Sequence, residues 1–247
     1  MARRGTLPAL AEVALVPNFP QTEHTCGPAA LAMALAWSGL STSPRQMEPL
    51  VYTPGREGSL AADLTGAARR RARLAVTIAG LDAVLAELAA GHPVVVLQNL
   101  GLDWAPRWHF AVAVAYDLDA RSIRLHSGMD EAQVLALDTF EHTWTRGGGW
   151  ALVVLPPDTL PATADELAVA RGAAGLERAA LPQAAIIAYR TMLERWPDSL
   201  TASVGLGNAL LAAGERAAAA AWLRQVADRH PEWGAVRNNL AELMAGQ

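Results

Sequence analysis

Residues 21–30 read Gln21-Thr22-Glu23-His24-Thr25-Cys26-Gly27-Pro28-Ala29-Ala30. From Gly27 to Trp37 the chain is apolar and alanine-rich, which predicts a helix with Pro28 in its first turn, where proline is tolerated, and Gly39 as its stop. Cys26 then stands directly before a helix N-terminus, where the positive end of the dipole favours thiolate. It is the only cysteine, so no intrachain disulfide forms, and the lone thiol is either a core filler or a reactive group. Gly27 leaves room for a substrate backbone to pass. Gln21, five residues before the thiol, can loop back and donate to an oxyanion alongside the Cys26 backbone N–H.

A reactive thiol needs a base from elsewhere in the chain. His109 opens the strand-like run His109-Phe110-Ala111-Val112-Ala113-Val114-Ala115-Tyr116, with Trp108 just before it. A histidine at the mouth of an apolar strand is rigidly placed and still reachable. The other histidines fit less well. His24 is too local to be oriented by a sheet, His92 ends a helix, His142 sits in a short exposed-looking helix, and His230 takes the place of Trp196 in a repeat.

Around these two segments the first 155 residues alternate helical and strand-like stretches. A helix is expected after Ser59, running to about Arg71, and another from Leu81 to Ala90, the latter ending at Gly91 with Pro93 beyond. Strands are expected over Val94–Leu97, Phe110–Tyr116, Ile123–Leu125 and Trp150–Leu155. Asp138 and Glu141 have the spacing of a capping box for a short helix before the last strand. Helices first and then an antiparallel sheet make an α+β pattern. The Arg69, Arg70, Arg71 and Arg73 cluster complements a helix C-terminus.

Pro156, Pro157 and Pro161 mark a linker, and residues 163–247 are helical throughout. Arg195-Trp196-Pro197-Asp198 matches Arg229-His230-Pro231-Glu232 at a spacing of 34 residues. Leu206, Gly207, Leu210, Gly214, Ala219, Leu223 and Pro231 fall where tetratricopeptide repeats place packing residues, and Leu176, Ala185, Tyr189 and Pro197 do so in the preceding unit. Thr163 and Glu166 have capping-box spacing at the start of this array. Such arrays hold partners by shape, so this half reads as a binding module, and its removal is expected to leave the first domain folded.

The segment Pro20-Gln21…Cys26-Gly27-Pro28-Ala29-Ala30-Leu31-Ala32-Met33 resembles the active-site segment of bacteriocin-leader (double-glycine) cysteine peptidases. Trp108-His109 through Asp117 resembles their histidine strand, and Gly58-Ser59-Leu60 a helix start that they share. The resemblance implies a papain-like fold, with the cysteine on a central helix packed against a sheet that carries the histidine. The Gln21-to-Cys26 spacing is one residue shorter than in exporter-linked members. The family's aspartate is absent, and Leu125-His126-Ser127-Gly128 puts Ser127 where it should be. His126 should point to the opposite face of that strand, and Asp130 is the competing third member.

The reading is an α+β papain-like cysteine peptidase domain over residues 1–157, followed by an all-α tetratricopeptide-type solenoid over residues 163–247. Cys26 is the nucleophile, His109 the base, Gln21 the oxyanion donor and Ser127 the third member beside His109. The substrate is a peptide or protein, and a protein partner on the repeats is expected. A net charge of −4 with scattered basic residues argues against nucleic acid. No metal-ligand spacing, phosphate loop or dinucleotide fingerprint occurs, so no cofactor is expected. The most apolar stretch, residues 74–97, is broken by Asp82, Glu87 and His92 and does not read as a membrane span. Glu12 interrupts any signal-peptide pattern after Arg3 and Arg4, leaving a periplasmic or cytoplasmic soluble protein. Two alternatives stand beside this reading: the same dyad transferring its acyl group to an amine, and an inactive peptidase fold serving as an adaptor.

Overall fold

The computed structural model describes residues 7–20, 25–56, 58–128 and 130–245, and for Arg56, Asp130, Glu131 and Ala132 the backbone alone. Helix α1 (Cys26–Trp37) is apolar all round and buried from Cys26 to Leu35, as a helix without a polar face must be. It lies on a mixed sheet-and-helix frame: β1 (Leu10–Glu12), α2 (Pro44–Val51), the small hairpin β2 (Tyr52–Thr53) and β3 (Gly58–Ser59), α3 (Ala61–Arg70), β4 (Leu74–Ile78) and α4 (Leu81–Ala89). Strands β5 (Val94–Asn99), β6 (Trp108–Asp117), β7 (Ser122–Ser127) and β8 (Asp130–Ala136) follow, then α5 (Leu137–Arg146) and β9 (Ala151–Leu155).

The main sheet runs β4-β9-β5-β6-β7-β8, every pair antiparallel, with β1 also pairing β6. Along the edge opposite β7, strand β6 serves two partners in turn. Its first residues pair β5, from Trp108 opposite Asn99 to Ala113 opposite Val94, and its last pair β1. One face packs Val95, Phe110, Val112, Val114, Leu152 and Val154 against α1. The other packs Val94, Val96, Ala111, Ala113 and Leu125 with α4 and with Phe140 and Trp144 of α5. This is the α+β arrangement with an antiparallel sheet that the sequence pattern implies.

Several local expectations are corrected. Helix α2, strand β4 and strand β8 add to the elements that the sequence pattern predicts. Strand β4 hides inside the apolar run of residues 74–97, where strand and helix share one hydrophobic signal. Neither capping box forms. Helix α5 starts at Leu137 with Ala136 as N-cap, and Asp138 instead accepts from Arg121 Nη2 at 2.8 Å. At the start of the C-terminal helices Asp165 is the N-cap, accepting from Ala168 N at 2.7 Å, while the Thr163 hydroxyl donates to Glu87 Oε1 at 2.6 Å.

The C-terminal part is five helices: α6 (Glu166–Arg178), α7 (Pro182–Arg195), α8 (Leu200–Ala212), α9 (Arg216–Arg229) and α10 (Gly234–Ala245). Their starts repeat at the 34-residue interval, Glu166, Leu200 and Gly234 for one series and Pro182 and Arg216 for the other. Close approach depends on glycine: a Cβ on Gly205 would fall 2.3 Å from the Tyr189 ring, and one on Gly207 would fall 2.8 Å from Leu223.

This array does not hang on a bare tether. Leu74 and Val76 of β4 belong to the same buried cluster as Val169, Ala173 and Leu176 of α6. Gly172 of α6 would meet Leu74 at 2.9 Å if it carried a Cβ. Arg195 at the end of α7 donates to Pro161 O at 2.7 Å. Glu87 of α4, fully buried, accepts from Ala162 N, Thr163 N and the Thr163 hydroxyl, and its Oε2 lies 2.7 Å from His92 Nδ1. The proline-rich stretch is thus a linker by composition and a packed joint in three dimensions. Part of the sheet's cover comes from α6.

Candidate active site

Cys26 is the first residue of α1 and nearly fully buried. Cys26 packs in one buried cluster with Phe110 of β6, the residue directly after His109. Burial is the larger influence and raises the thiol above its ordinary value, with the backbone amides of Phe110, Gly27 and Cys26 pulling the other way.

The space beside Gly27 is not left for a substrate. A Cβ there would stand 2.3 Å from Ser59 Oγ and 2.5 Å from Ser59 Cβ. The sequence expectation for Gly27 is therefore corrected: the glycine admits the Ser59 side chain, brought in by the β2–β3 hairpin through the pairing of Tyr52 with Ser59. The Ser59 hydroxyl is buried there with no hydrogen-bond partner among the described residues. The signal for this contact is in the sequence as Gly58-Ser59-Leu60, although nothing local to Ser59 reveals its partner.

His109 pairs with Gln98 across β5, and the Gln98 side chain is itself tied to Thr143 of α5 at 2.7 Å. His109 Nε2 lies 2.7 Å from Ser127 Oγ. Ser127 ends β7 and is buried, sharing strand parity with Ile123 and Leu125, which face α5. His126 has the opposite parity, and its Nδ1 lies 3.4 Å from Pro17 O. Burial first, and the positive charge of Arg107 second, lower the His109 imidazole below its ordinary value. Gln21 and His24 lie outside the described residues, as does the side chain of Asp130.

The remaining histidines stand apart. His92 is paired with Glu87, His142 is exposed, and His230 stacks on Trp233 at 3.8 Å between ring centres. Among the described residues no group of three His, Cys, Asp or Glu side chains is placed to hold a metal ion. No described helix is long and apolar enough to cross a membrane.

The described residues place a thiol at the start of α1 in one buried cluster with Phe110, and an imidazole beside a hydroxyl on the neighbouring strand. The Peptidase_C39 like family matches residues 13–151, a span that holds Cys26, His109 and Ser127. The fold is similar to that of the peptidase domain of Streptococcus ComA, a bifunctional ABC transporter of a quorum-sensing pathway. That likeness has a TM-score of 0.48 at 18% identity and covers 57% of this chain and 99% of that one. It is also similar to a double glycine motif protease from an AMS/PCAT transporter, solved with the leader peptide. There the TM-score is 0.47 at 21% identity, covering 59% of this chain and 94% of that one. No curated protein sequence matches the chain.

Proposed function

Since the chain belongs to the Peptidase_C39 like family, we propose that it is a cysteine peptidase in which Cys26 attacks a peptide carbonyl with His109 as its base. The observation that carries this reading is that Cys26, at the N-terminus of α1, packs in one buried cluster with Phe110, the residue directly after a histidine already engaged through Nε2. With Nε2 committed to Ser127, Nδ1 is the nitrogen that takes the thiol proton. The sulfur then bonds to the carbonyl carbon. The oxyanion is held by the Cys26 amide and, in this reading, by the Gln21 side chain. The C–N bond breaks as the imidazolium returns the proton to the leaving amine, and water, deprotonated by His109, releases the acyl group.

Ser127 replaces a carboxylate in this proposal. Its hydroxyl orients the ring but offers no negative charge, so the site works as a dyad without the charge stabilisation that a carboxylate gives an imidazolium. Residues 1–157 form the catalytic part. Residues 163–247 form a tetratricopeptide-like array that docks substrate or a protein partner.

Cys26→Ala is expected to abolish peptide cleavage while leaving the fold intact. Retained wild-type turnover would overturn the assignment. A second reading, a catalytically inactive adaptor, is favoured by the raised thiol and the missing carboxylate. Iodoacetamide separates the two. Labelling of Cys26 that accelerates in the wild type relative to His109→Ala supports the dyad. Equal slow labelling of both supports the adaptor.

A further inference from the structure

Strand β5 ends at Asn99 and β6 begins at Trp108, and the chain between them carries a row of exposed apolar side chains. Leu100 is 43% exposed, Leu102 52%, Trp104 83% and Trp108 55%. A folded chain rarely leaves so many large apolar groups together in water unless something covers them. The segment is not loose. Leu100 N donates to Arg107 O at 2.8 Å, and Leu102 and Ala105 exchange backbone hydrogen bonds at 3.1 and 3.0 Å, which leaves Asp103 and Trp104 as the turn. The Asn99 side-chain oxygen accepts from Gly101 N and from Arg107 N, both at 2.9 Å. Arg146 Nε, at the end of α5, donates to Asn99 O at 3.2 Å, so the hairpin is held at its root from the helix as well as from the sheet.

The shape of the exposure decides what covers it. Leu102 and Trp104 stand at a turn that extends past the paired strands, and an indole with 83% of its surface in water has no wall of its own protein against it. A groove takes a partner's side chain by closing around it. Here the protein supplies the side chains and the partner must supply the surroundings, which a fluid bilayer surface does from every direction at once. The residue types agree, since tryptophan and leucine settle at the boundary between headgroups and acyl chains, the indole N–H toward water. The charges agree as well. Asp103 is the one acidic residue from Asn99 to Trp108, against Arg107 in the same hairpin and Arg146 at its root, so the rim is cationic. Asp103 lies in the turn itself and holds the tip at headgroup depth, because a carboxylate is costly in the acyl core.

We propose that the β5–β6 hairpin is a membrane-docking element whose Leu102 and Trp104 side chains enter the interface of an anionic phospholipid bilayer, with Arg107 and Arg146 against the headgroups. This docking goes beyond the peptidase reading and uses no property of Cys26 or His109. It lays the chain on the surface rather than through it. Contact of this kind is reversible. It strengthens with the apolar area that enters the lipid and with the negative charge of the surface, and it weakens as salt screens the arginines.

The test is sedimentation of the full chain with vesicles of phosphatidylcholine mixed with phosphatidylglycerol, and with vesicles of phosphatidylcholine alone. The wild type is expected to sediment with the mixed vesicles, less with phosphatidylcholine alone, and less again as salt rises. Leu102→Ser combined with Trp104→Ser should lower the partition coefficient by about tenfold or more, and Trp104→Ser alone by less. Leu167→Ser, which removes an exposed leucine from α6, should bind as the wild type does. Because the replaced side chains are exposed, circular dichroism melts of the variants should overlay the wild type. A wild type that stays in the supernatant with both kinds of vesicle overturns the proposal, as does a double variant that binds like the wild type. Concentration-dependent self-association in gel filtration that the double variant abolishes, without vesicle binding, assigns the hairpin to a second copy of the chain and overturns it too.

Discussion

His109 Nε2 and Ser127 Oγ, eighteen residues apart in the chain, lie 2.7 Å apart across the β6–β7 pair. Burial keeps the Cys26 thiol above its ordinary value of 9.0, and burial with the Arg107 charge keeps His109 below its ordinary 6.5.

Alkylation of Cys26 follows the thiolate, so its rate should climb with pH into the alkaline range and show no plateau near neutrality. Ser127→Asp adds a negative charge beside the ring, raises the imidazole and draws the thiol proton onto it. Iodoacetamide labelling of that variant at pH 7 should be faster by about tenfold. A rate–pH curve that overlays the wild type would show that residue 127 does not act on His109.

Gly27→Ala tests the contact with Ser59. Alanine in a helical turn is ordinarily favourable over glycine by about 1 kcal/mol. Here the new methyl meets the Ser59 side chain, and overpacking of this kind costs about 1–3 kcal/mol. Urea denaturation should therefore show net loss in Gly27→Ala and recovery in Gly27→Ala with Ser59→Gly. Equal destabilisation of the single and double variants would refute the steric account.

Glu87 is the buried carboxylate of the joint. Burial alone would raise its pKa, but donors from His92, Thr163 and Ala162 outweigh that and hold it below the ordinary 4.5. The stabilisation is thus complete above that value and lost as pH falls through the lower folded-state value. Glu87→Ala strands the Ala162 and Thr163 amides and should cost about 3 kcal/mol at neutral pH. In Glu87→Gln the acid-side decline attributable to this group should vanish, as read from denaturation midpoints between pH 3 and 7.

A chain cut after residue 160 loses the α6 helix that covers Leu74 and Val76. Each buried aliphatic side chain contributes about 2 kcal/mol, so the fragment should unfold at lower urea and bind more of an apolar-surface dye than the full protein. A fragment as stable as the whole would mean that β4 finds other cover.

The start of α1, the long strand β6 and the 34-residue period of the C-terminal helices are legible in the sequence, because each is written in neighbouring residues. Pro28 sets a helix entry, an uninterrupted apolar run sets a buried strand, and like residues at a fixed interval set a repeat. Ser127 beside His109 is legible as well, since a short turn after Asp117 returns the chain along β6 and alternation selects which side chain faces which way. Other features belong to the tertiary structure alone. Thr163 has the composition of a helix cap, yet its hydroxyl is drawn to Glu87, seventy-six residues earlier. Gly27 is small because Ser59 fills its space, and β4 stands at a sheet edge covered by a helix from the repeat region. Cys26 and Phe110 share a cluster only because α1 packs across β6. Propensity and periodicity act over a few residues, whereas these contacts join segments far apart in the chain, and which of them meet is decided by how the helices and the sheet pack.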